Sequence, residues 1–216
     1  MNKAKSAFIR LRRYVLFLAE YIFYEKPRGL DFTMRDKSLS KKSGFRYHGY
    51  SKTNEKHLRE IFQRLSFEDA RILDVGCGKG VVLKEAVKFP FQKIAGIEIQ
   101  EKLAQTAKRN FEILGISDKI ECLQCDALDF DRYGDYNVFF FFNPFSEEVL
   151  QKVVDKIIKS RGGEDDIITV IYHNPRFLSV FDERTKILKK EMLHDTLKEY
   201  DTCILAVCPK DMEDNY

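Results

Sequence analysis

Short apolar runs alternate with segments of helical spacing along most of this chain of 216 residues. The strand candidates lie at 71–75, 93–99, 119–125, 136–142 and 166–173. Helical patterns fill the gaps at about 80–88, 101–114 and 147–160. Strands that are apolar nearly throughout and that alternate with helices are typical of a parallel sheet covered on both faces. The pattern therefore predicts an α/β fold.

Two further apolar runs follow near the C-terminus, at 185–193 and 200–209. A parallel pair needs a crossover of roughly a dozen residues or more, and the chain between these runs is too short for one. An antiparallel hairpin on the edge of the sheet fits better. We therefore expect a three-layer sandwich around a mostly parallel seven-stranded sheet, with an antiparallel C-terminal edge hairpin.

Residues 1–65 lack this alternation, so we treat them as an N-terminal helical and lid extension of a main domain over 66–216. Basic residues precede an apolar run at 14–24. A spanning helix needs ~20 apolar residues, and this run is shorter and is interrupted by Glu20. We therefore expect no transmembrane segment, but an amphipathic helix that packs on the domain or on a twin subunit to form a homodimer. A helix on a membrane surface is the alternative.

A basic loop over 25–53 and a second helix over about 54–65 complete the predicted extension. Thr53 is the predicted N-cap of that helix, because its hydroxyl can accept a bond from a free first-turn N–H. The segment 44–53 has the composition of a lid over the acceptor pocket, although an exposed linker is the alternative. Its candidate residues are Arg46, Tyr47, His48, Tyr50, Ser51 and Thr53.

The composition is that of an ordinary globular protein, with 44% hydrophobic and 33% charged residues. The net charge of only +3 weighs against a dedicated nucleic-acid binder, although a local basic patch stays open. Five cysteines without a signal peptide predict reduced thiols and a cytoplasmic location. Cys122 and Cys125 form a C-x-x-C, but no second pair or nearby His completes a zinc site, so no metal is expected.

The most informative stretch is the turn that follows the first predicted strand. After Asp74 come three glycines at alternate positions, Gly76, Gly78 and Gly80, and a helical pattern follows directly. Glycines allow positive φ angles and a close approach of a ligand, and free N–H groups at a helix start offer an anion site. A dinucleotide enzyme has G-x-G-x-x-G, whereas Val81 occupies the third glycine's place here.

This D-x-G-x-G-x-G pattern resembles motif I of the class I S-adenosylmethionine-dependent methyltransferases, which have a Rossmann-like fold. The resemblance implies S-adenosyl-L-methionine as the cofactor. In that family the loop wraps the methionine part of the cofactor, and the acidic residue supports the loop or the cofactor's amino group. By position, the resemblance nominates Asp74, Gly76, Cys77, Gly78 and Gly80.

The ends of the second and third predicted strands extend the resemblance. Glu98 stands where a carboxylate accepts hydrogen bonds from both ribose hydroxyls, and Ile99 could lie against the adenine. In the family, an acid at the position of Asp126 accepts the adenine amino group, while the N–H of the next residue, here Ala127, meets a ring nitrogen. The N-cap of a short helix is the alternative role for Asp126.

The fourth predicted strand leads into Asn143, Pro144 and Phe145. Family enzymes that methylate amino groups often carry an acid or Asn here, then two prolines and an aromatic, which align the amine with the methyl group. This chain has one proline and then Ser146 after the aromatic, which puts base methylation in doubt. Asn143 could instead support the cofactor. His173, at the end of the fifth strand, is either a general base or a structural residue.

The sequence thus predicts a methyltransferase that moves a methyl group to an N or O atom of a small-molecule or protein acceptor. An RNA or DNA amino-methyltransferase is one alternative, since the loop at 25–53 is basic. A non-catalytic cofactor-binding or membrane-associated partner protein is another. A nicotinamide dehydrogenase fits least, because of the glycine spacing.

Overall fold

The computed structural model describes residues 15–36, 47–162, 166–195 and 200–210. Its strands are β1 (Arg71–Val75), β2 (Lys93–Glu98), β3 (Glu121–Gln124), β4 (Val138–Phe142), β5 (Ile168–His173), β6 (Thr185–Asp195) and β7 (Tyr200–Pro209). They form one seven-stranded sheet in the order β3-β2-β1-β4-β5-β7-β6. Strands β1 to β5 are parallel, and β7 pairs antiparallel with both β5 and β6. The predicted sheet and its antiparallel C-terminal strands are confirmed.

Helices cover both faces of this sheet: α1 (Glu55–Phe62), α2 (Val81–Ala86), α3 (Glu101–Leu114), α4 (Glu147–Lys159) and α5 (Ser179–Arg184). The alternation of side chains along a strand separates two hydrophobic clusters. In β4, Phe139 and Phe141 belong to the cluster that contains the apolar side of α4. Val138 and Phe140 belong to the cluster with the apolar sides of α1, α2 and α3. The result is the expected three-layer sandwich.

The strand order reverses beside β1, because β2 and β3 lie on one side of it and β4 and β5 on the other. In open α/β sheets, ligands bind in the crevice outside the carboxyl ends of the strands at such a switch point. The turns that follow β1, β2 and β4 therefore meet at the place where a ligand is expected.

The N-terminal helix is α-helical over residues 15–19, and it continues as a π-helical turn at Glu20–Glu25 and a 3-10 turn at Lys26–Arg28. The predicted helix is thus confirmed from residue 15 onward, whereas its first residue and the lid residues 44–46 lie outside the described chain. No helix of the described ranges has the length and apolarity to cross a bilayer.

A network of buried charges joins this helix to the rest of the molecule. Lys52, which is 7% exposed, forms ion pairs with Glu20, with Glu25 at 3.3 Å and with Glu55 at 3.0 Å. Glu55 also pairs with Lys84 of α2 at 2.7 Å. Although burial opposes ionisation, the two lysines hold the pKa of Glu55 down at about 2. The network therefore runs from the N-terminal helix to the helix that follows the glycine turn.

The N-cap prediction for α1 was wrong by one residue. Asn54, not Thr53, is the N-cap, and its side-chain oxygen accepts a hydrogen bond from Lys56 N at 3.1 Å. Asn and Thr are both good N-caps, so local sequence does not separate them. Thr53 is buried, and it lies against the cavity described next.

Candidate active site

A cavity of about 240 Å³ lies at the carboxyl ends of the parallel strands. The segment 47–53, called the lid segment below, forms one wall of it. Predicted site residues that line the cavity are Asp74, Gly76, Cys77, Gly78, Glu98, Ile99, Ala127, Asn143, Pro144 and Phe145. Three predicted site residues, Gly80, Asp126 and His173, are not part of its lining.

The glycine turn after β1 is held by the neighbouring strand. The N–H groups of Gly76 and Cys77 both donate to the carbonyl of Ile97 at 2.9 Å. Gly78 has a φ of +55°, and a Cβ placed there would lie 2.2 Å from the ring of Tyr50. The turn therefore requires glycine at position 78 for its backbone conformation and for the close approach of the lid segment.

Gly80 has a packing role that the glycine pattern did not reveal. Its φ is +84°, and it is the N-terminal flanking residue of α2. A Cβ at this position would lie 2.2 Å from Cζ of Phe111 in α3. Gly80 thus allows α3 to pack closely on the turn, and it faces this helix rather than the cavity. A glycine pattern alone does not reveal which side of each glycine is crowded.

Asp74 presents a buried carboxylate to the cavity. The residue is 2% exposed, and its Oδ2 has no hydrogen-bond partner among the described residues. Burial raises the pKa of this carboxyl well above its usual value, and the nearby Glu98 raises it further. A buried polar atom without a partner is costly, so the site is suited to a ligand that supplies a donor, above all a cationic one. The α-amino group of S-adenosylmethionine is such a donor.

Glu98 is fixed at the end of β2 by two backbone donors. Its Oε2 accepts a hydrogen bond from Gly78 N at 2.9 Å, and its Oε1 accepts one from Gln100 N at 2.8 Å. Burial raises the pKa of this carboxyl, while the two backbone bonds oppose the rise. Each carboxylate oxygen can accept a second bond. Two hydroxyl groups on neighbouring carbons, as on a ribose, would match these two oxygens.

Asp126 joins the end of β3 to the lid segment. Its Oδ1 accepts a hydrogen bond from Leu128 N at 2.9 Å, and its Oδ2 accepts one from the hydroxyl of Tyr47 at 2.8 Å. The first of these bonds closes a turn at 127–129, where the alternative prediction had the N-cap of a short helix. Its contact with adenine stays a prediction, and its neighbours Cys125 and Ala127 line the cavity in its place.

The Asn143–Pro144 turn is bonded on several sides by the chain itself. Asn143 is 5% exposed with a φ of +38°, and its Oδ1 accepts a hydrogen bond from the hydroxyl of Tyr172 at 3.0 Å. His48 N donates to the carbonyl of Pro144 at 2.8 Å, and Nδ1 of His48 lies 2.7 Å from the carbonyl oxygen of Asn143. A target amine would be held by Oδ1 of Asn143 and the carbonyl oxygen of Pro144. Both of these oxygens already accept hydrogen bonds.

His173 is buried within the protein core. It is 0% exposed, and its Nδ1 lies 2.7 Å from Oγ1 of Thr202, which is also 2.7 Å from Nε2 of His57. The ring packs against Phe142 with centroids 4.4 Å apart. The histidine that lines the cavity is His48. The sequence predicted only that His48 belongs to a lid. Its contact with the carbonyl oxygen of Asn143 could not be foreseen, because the two residues are 95 positions apart.

The cavity residues that the predicted site lacked include Asn174, Arg176 and Tyr200. Asn174 has a φ of +53°, so both Asn-Pro turns place an asparagine in the left-handed region beside the cavity. The second Asn-Pro after β5 was the available sequence signal. The five cysteines are free thiols, and within the described ranges no group of three or more His, Cys, Asp and Glu side chains could hold a metal ion.

Comparison with known proteins places the middle of the chain in a family. Residues 72–160 match the family model of the methyltransferase domain. The chain is 30% identical over 70 residues to the rRNA N(6)-adenosine-methyltransferase metl-5 of Caenorhabditis elegans, which is 32% of this chain and 33% of that protein. It is 32% identical over 62 residues to the ribosomal protein L11 methyltransferase of Shewanella halifaxensis, which is 29% of this chain and 21% of that protein. The matches thus span one fifth to one third of these relatives.

Solved structures agree on the fold. An RNA methyltransferase from Salinibacter ruber, in complex with S-adenosyl-L-homocysteine, superposes with a TM-score of 0.56 at 18% identity, over 75% of this chain and 97% of that one. The family match runs from β1 to the end of α4, and so it includes the glycine turn and the carboxylate at the end of β2. Residues 72–160 thus match the methyltransferase-domain family, and the fold of the chain is the Rossmann-like fold of S-adenosylmethionine-dependent methyltransferases.

Proposed function

We propose that the chain binds S-adenosylmethionine in this cavity and transfers its methyl group to an N or O atom of a small-molecule or protein acceptor. The observation that carries the proposal is the buried Asp74 carboxylate, which has an Oδ2 without a hydrogen-bond partner in the described chain and lies beside the glycine turn. Glu98 faces the same cavity. The five free thiols fit a protein of the reducing cytoplasm.

Each side chain has a distinct role in this proposal. Asp74 accepts a bond from the cofactor's amino group, and Glu98 accepts bonds from its ribose hydroxyls. Gly78 keeps the turn free of a side chain, while Ile99 and Ala127 offer apolar surface to the adenine. When bound, the cofactor supplies a methyl group on a positively charged sulfur. The protein then has to align the acceptor with that methyl group and exclude water.

His48 is the residue suited to accept a proton from the acceptor. A carbonyl oxygen only accepts hydrogen bonds, so Nδ1 of His48 carries the hydrogen toward the carbonyl of Asn143. In a neutral ring this leaves the lone pair on Nε2. Because His48 lines the cavity, Nε2 can serve as a general base for a hydroxyl or an acidic N–H. We therefore favour such acceptors over a neutral amine held by Asn143 and Pro144.

RNA amino-methylation is the second candidate function. The Asn143–Pro144–Phe145 turn lines the cavity, and one relative is named an rRNA N(6)-adenosine-methyltransferase. The carbonyl of Pro144 keeps a second lone pair, so an amine could still bind there. Labelling of RNA that falls steeply with salt would favour this candidate, whereas labelling of protein or small molecules would not.

The cofactor assignment is tested by thermal unfolding with S-adenosylmethionine, S-adenosylhomocysteine and NAD. A ligand at about 100 times its dissociation constant adds roughly 2.7 kcal/mol, and each kcal/mol raises Tm by about 2–4 °C at this size. We expect both adenosyl compounds to raise Tm by about 5–11 °C and NAD to have no effect. A shift with NAD alone would reject the proposal.

Asp74→Asn is expected to weaken S-adenosylmethionine binding by roughly 10- to 150-fold, because hydrogen bonds to charged groups contribute about 1.5–3 kcal/mol. The free variant should be as stable as the original or more so, because it no longer has to keep a proton on a buried carboxyl group that the unfolded chain releases. Calorimetric titration and thermal unfolding measure the two effects. Asp195→Asn is the matched control, since Asp195 is equally buried but does not line the cavity. Unchanged affinity in Asp74→Asn would remove Asp74 from the site.

The raised pKa of Asp74 also fixes the direction of a pH effect. Above the ordinary carboxyl pKa of about 4, the unfolded chain releases this proton while the folded chain retains it. The free energy of unfolding therefore falls as pH rises toward the pKa of Asp74 in the folded protein. This part of the fall should be absent from Asp74→Asn.

A further inference from the structure

The outer face of the N-terminal helix carries an unusual concentration of exposed apolar side chains. Half of the large apolar residues that are exposed in the described chain lie within positions 15–24. They are Val15 (56% exposed), Leu16 (48%), Ile22 (47%), Phe23 (77%) and Tyr24 (48%). Single exposed apolar residues are common, but a contiguous group marks a binding surface.

These side chains lie in two adjoining parts of the helix. Val15 and Leu16 are in its α-helical part, and Ile22, Phe23 and Tyr24 are consecutive in its π-helical turn. The other side is attached to the protein: Glu25 is 1% exposed and accepts hydrogen bonds from the N–H groups of Phe32 and Thr33. The ion pairs of Lys52 fix the same side. The apolar face therefore points outward in a fixed orientation.

The positive charge of the chain is concentrated in the same stretch of sequence. The first 28 residues hold seven Lys and Arg and two acids, an excess of five positive charges, whereas the whole chain has a net charge of +3. The two acids, Glu20 and Glu25, both pair with Lys52 on the inner side. Lys26 and Arg28 are exposed at the end of the helix. The guanidinium of Arg28 lies 4.4 Å from the ring centroid of Tyr24, which joins cation and apolar surface.

We propose that this helix binds flat on an anionic membrane, with Leu16, Ile22 and Phe23 in the interfacial region. Apolar residues on one face with Lys and Arg nearby are the pattern of helices that lie in the membrane interface. Val15, Leu16 and Ile22 are aliphatic, so they would not stack on the bases of an RNA. In a symmetric dimer, the same patch meets itself, which would bring the excess positive charges together.

The test is flotation of the full chain with vesicles of phosphatidylglycerol and phosphatidylcholine, and with phosphatidylcholine alone. The wild type should bind the anionic vesicles and lose most of that binding at about 1 M salt, where the Debye length is about 3 Å. The double variant Ile22→Ser, Phe23→Ser should bind roughly tenfold or more weakly. Both residues are exposed, so the fold and the cofactor response should be unchanged.

The matched control is Leu188→Ser with Met192→Ser, two residues of β6 that are 47% and 49% exposed. This variant should bind vesicles like the wild type. Equal vesicle binding by the wild type and the Ile22, Phe23 variant would overturn the proposal. If the wild type does not bind vesicles, two other results would also overturn the proposal. One is a stable wild-type dimer that the Ile22, Phe23 variant dissociates, and the other is binding to single-stranded RNA that this variant abolishes. None of these results depends on whether the cavity binds S-adenosylmethionine.

Discussion

Gly80→Ala lowers the stability of the protein by about 2–5 kcal/mol, which corresponds to a fall in Tm of about 4–20 °C. Two costs combine in this expected result. An alanine at a φ of +84° has an unfavourable backbone conformation, which costs about 1–2 kcal/mol. Its Cβ would also lie 2.2 Å from Cζ of Phe111, and overpacking costs about 1–3 kcal/mol.

Gly115→Ala separates these two costs. Gly115 ends α3 with a φ of +65°, and a Cβ there would have no heavy atom of the described residues within 4 Å. This variant should lose only the backbone contribution of about 1–2 kcal/mol. Denaturant unfolding of both variants measures the difference. Equal losses in the two variants would show that Phe111 moves away at little cost, and the packing role assigned to Gly80 would then be wrong.

His48→Asn is expected to lower the turnover number for methyl transfer by roughly 10²- to 10⁴-fold, the usual contribution of a general base. Asparagine can still donate a hydrogen bond toward the carbonyl of Asn143, but it cannot accept a proton at neutral pH. The affinity for S-adenosylmethionine should change little. The assay follows labelled methyl groups from the cofactor into the protein, RNA and small-molecule fractions of a cell extract, and then into the isolated acceptor.

The split between turnover and acceptor binding distinguishes a base from a positioning residue. Loss of a base should lower the turnover number and leave the KM for the acceptor nearly unchanged, whereas loss of a positioning residue should raise that KM as well. His194→Gln is the control, because His194 is exposed on β6 and does not line the cavity. A rise in the acceptor KM as large as the fall in turnover would show that His48 positions the acceptor and does not accept its proton.

The sheet was predictable because its signals are local. Each apolar run reports the burial of one strand, and parallel strands end at a common edge. Asp74, Glu98 and Asn143 could therefore be placed together from their positions at the ends of three apolar runs. The antiparallel C-terminal strands followed from the short connection between them.

The cavity wall that the lid segment forms was not predictable in the same way. The lid segment reaches the site through contacts between residues far apart in sequence, such as Tyr47 with Asp126 and His48 with Asn143. Periodicity carries no information about such contacts. His173 was nominated from its place at a strand end, yet the antiparallel β7 covers it and Thr202 binds its ring. Packing against a distant element decided both outcomes.

The buried charges around Lys52 have a consequence for how the molecule unfolds. Separating the N-terminal helix from Lys52 would leave Glu25, which is 1% exposed, without its partner charge and would remove two of the three carboxylates that pair with Lys52. Breaking buried pairs in this way is strongly unfavourable. Leu30 and Phe32 also share a hydrophobic cluster with Ile72 of β1. From this we infer that residues 15–36, the lid segment, α1 and the sheet melt as one cooperative unit.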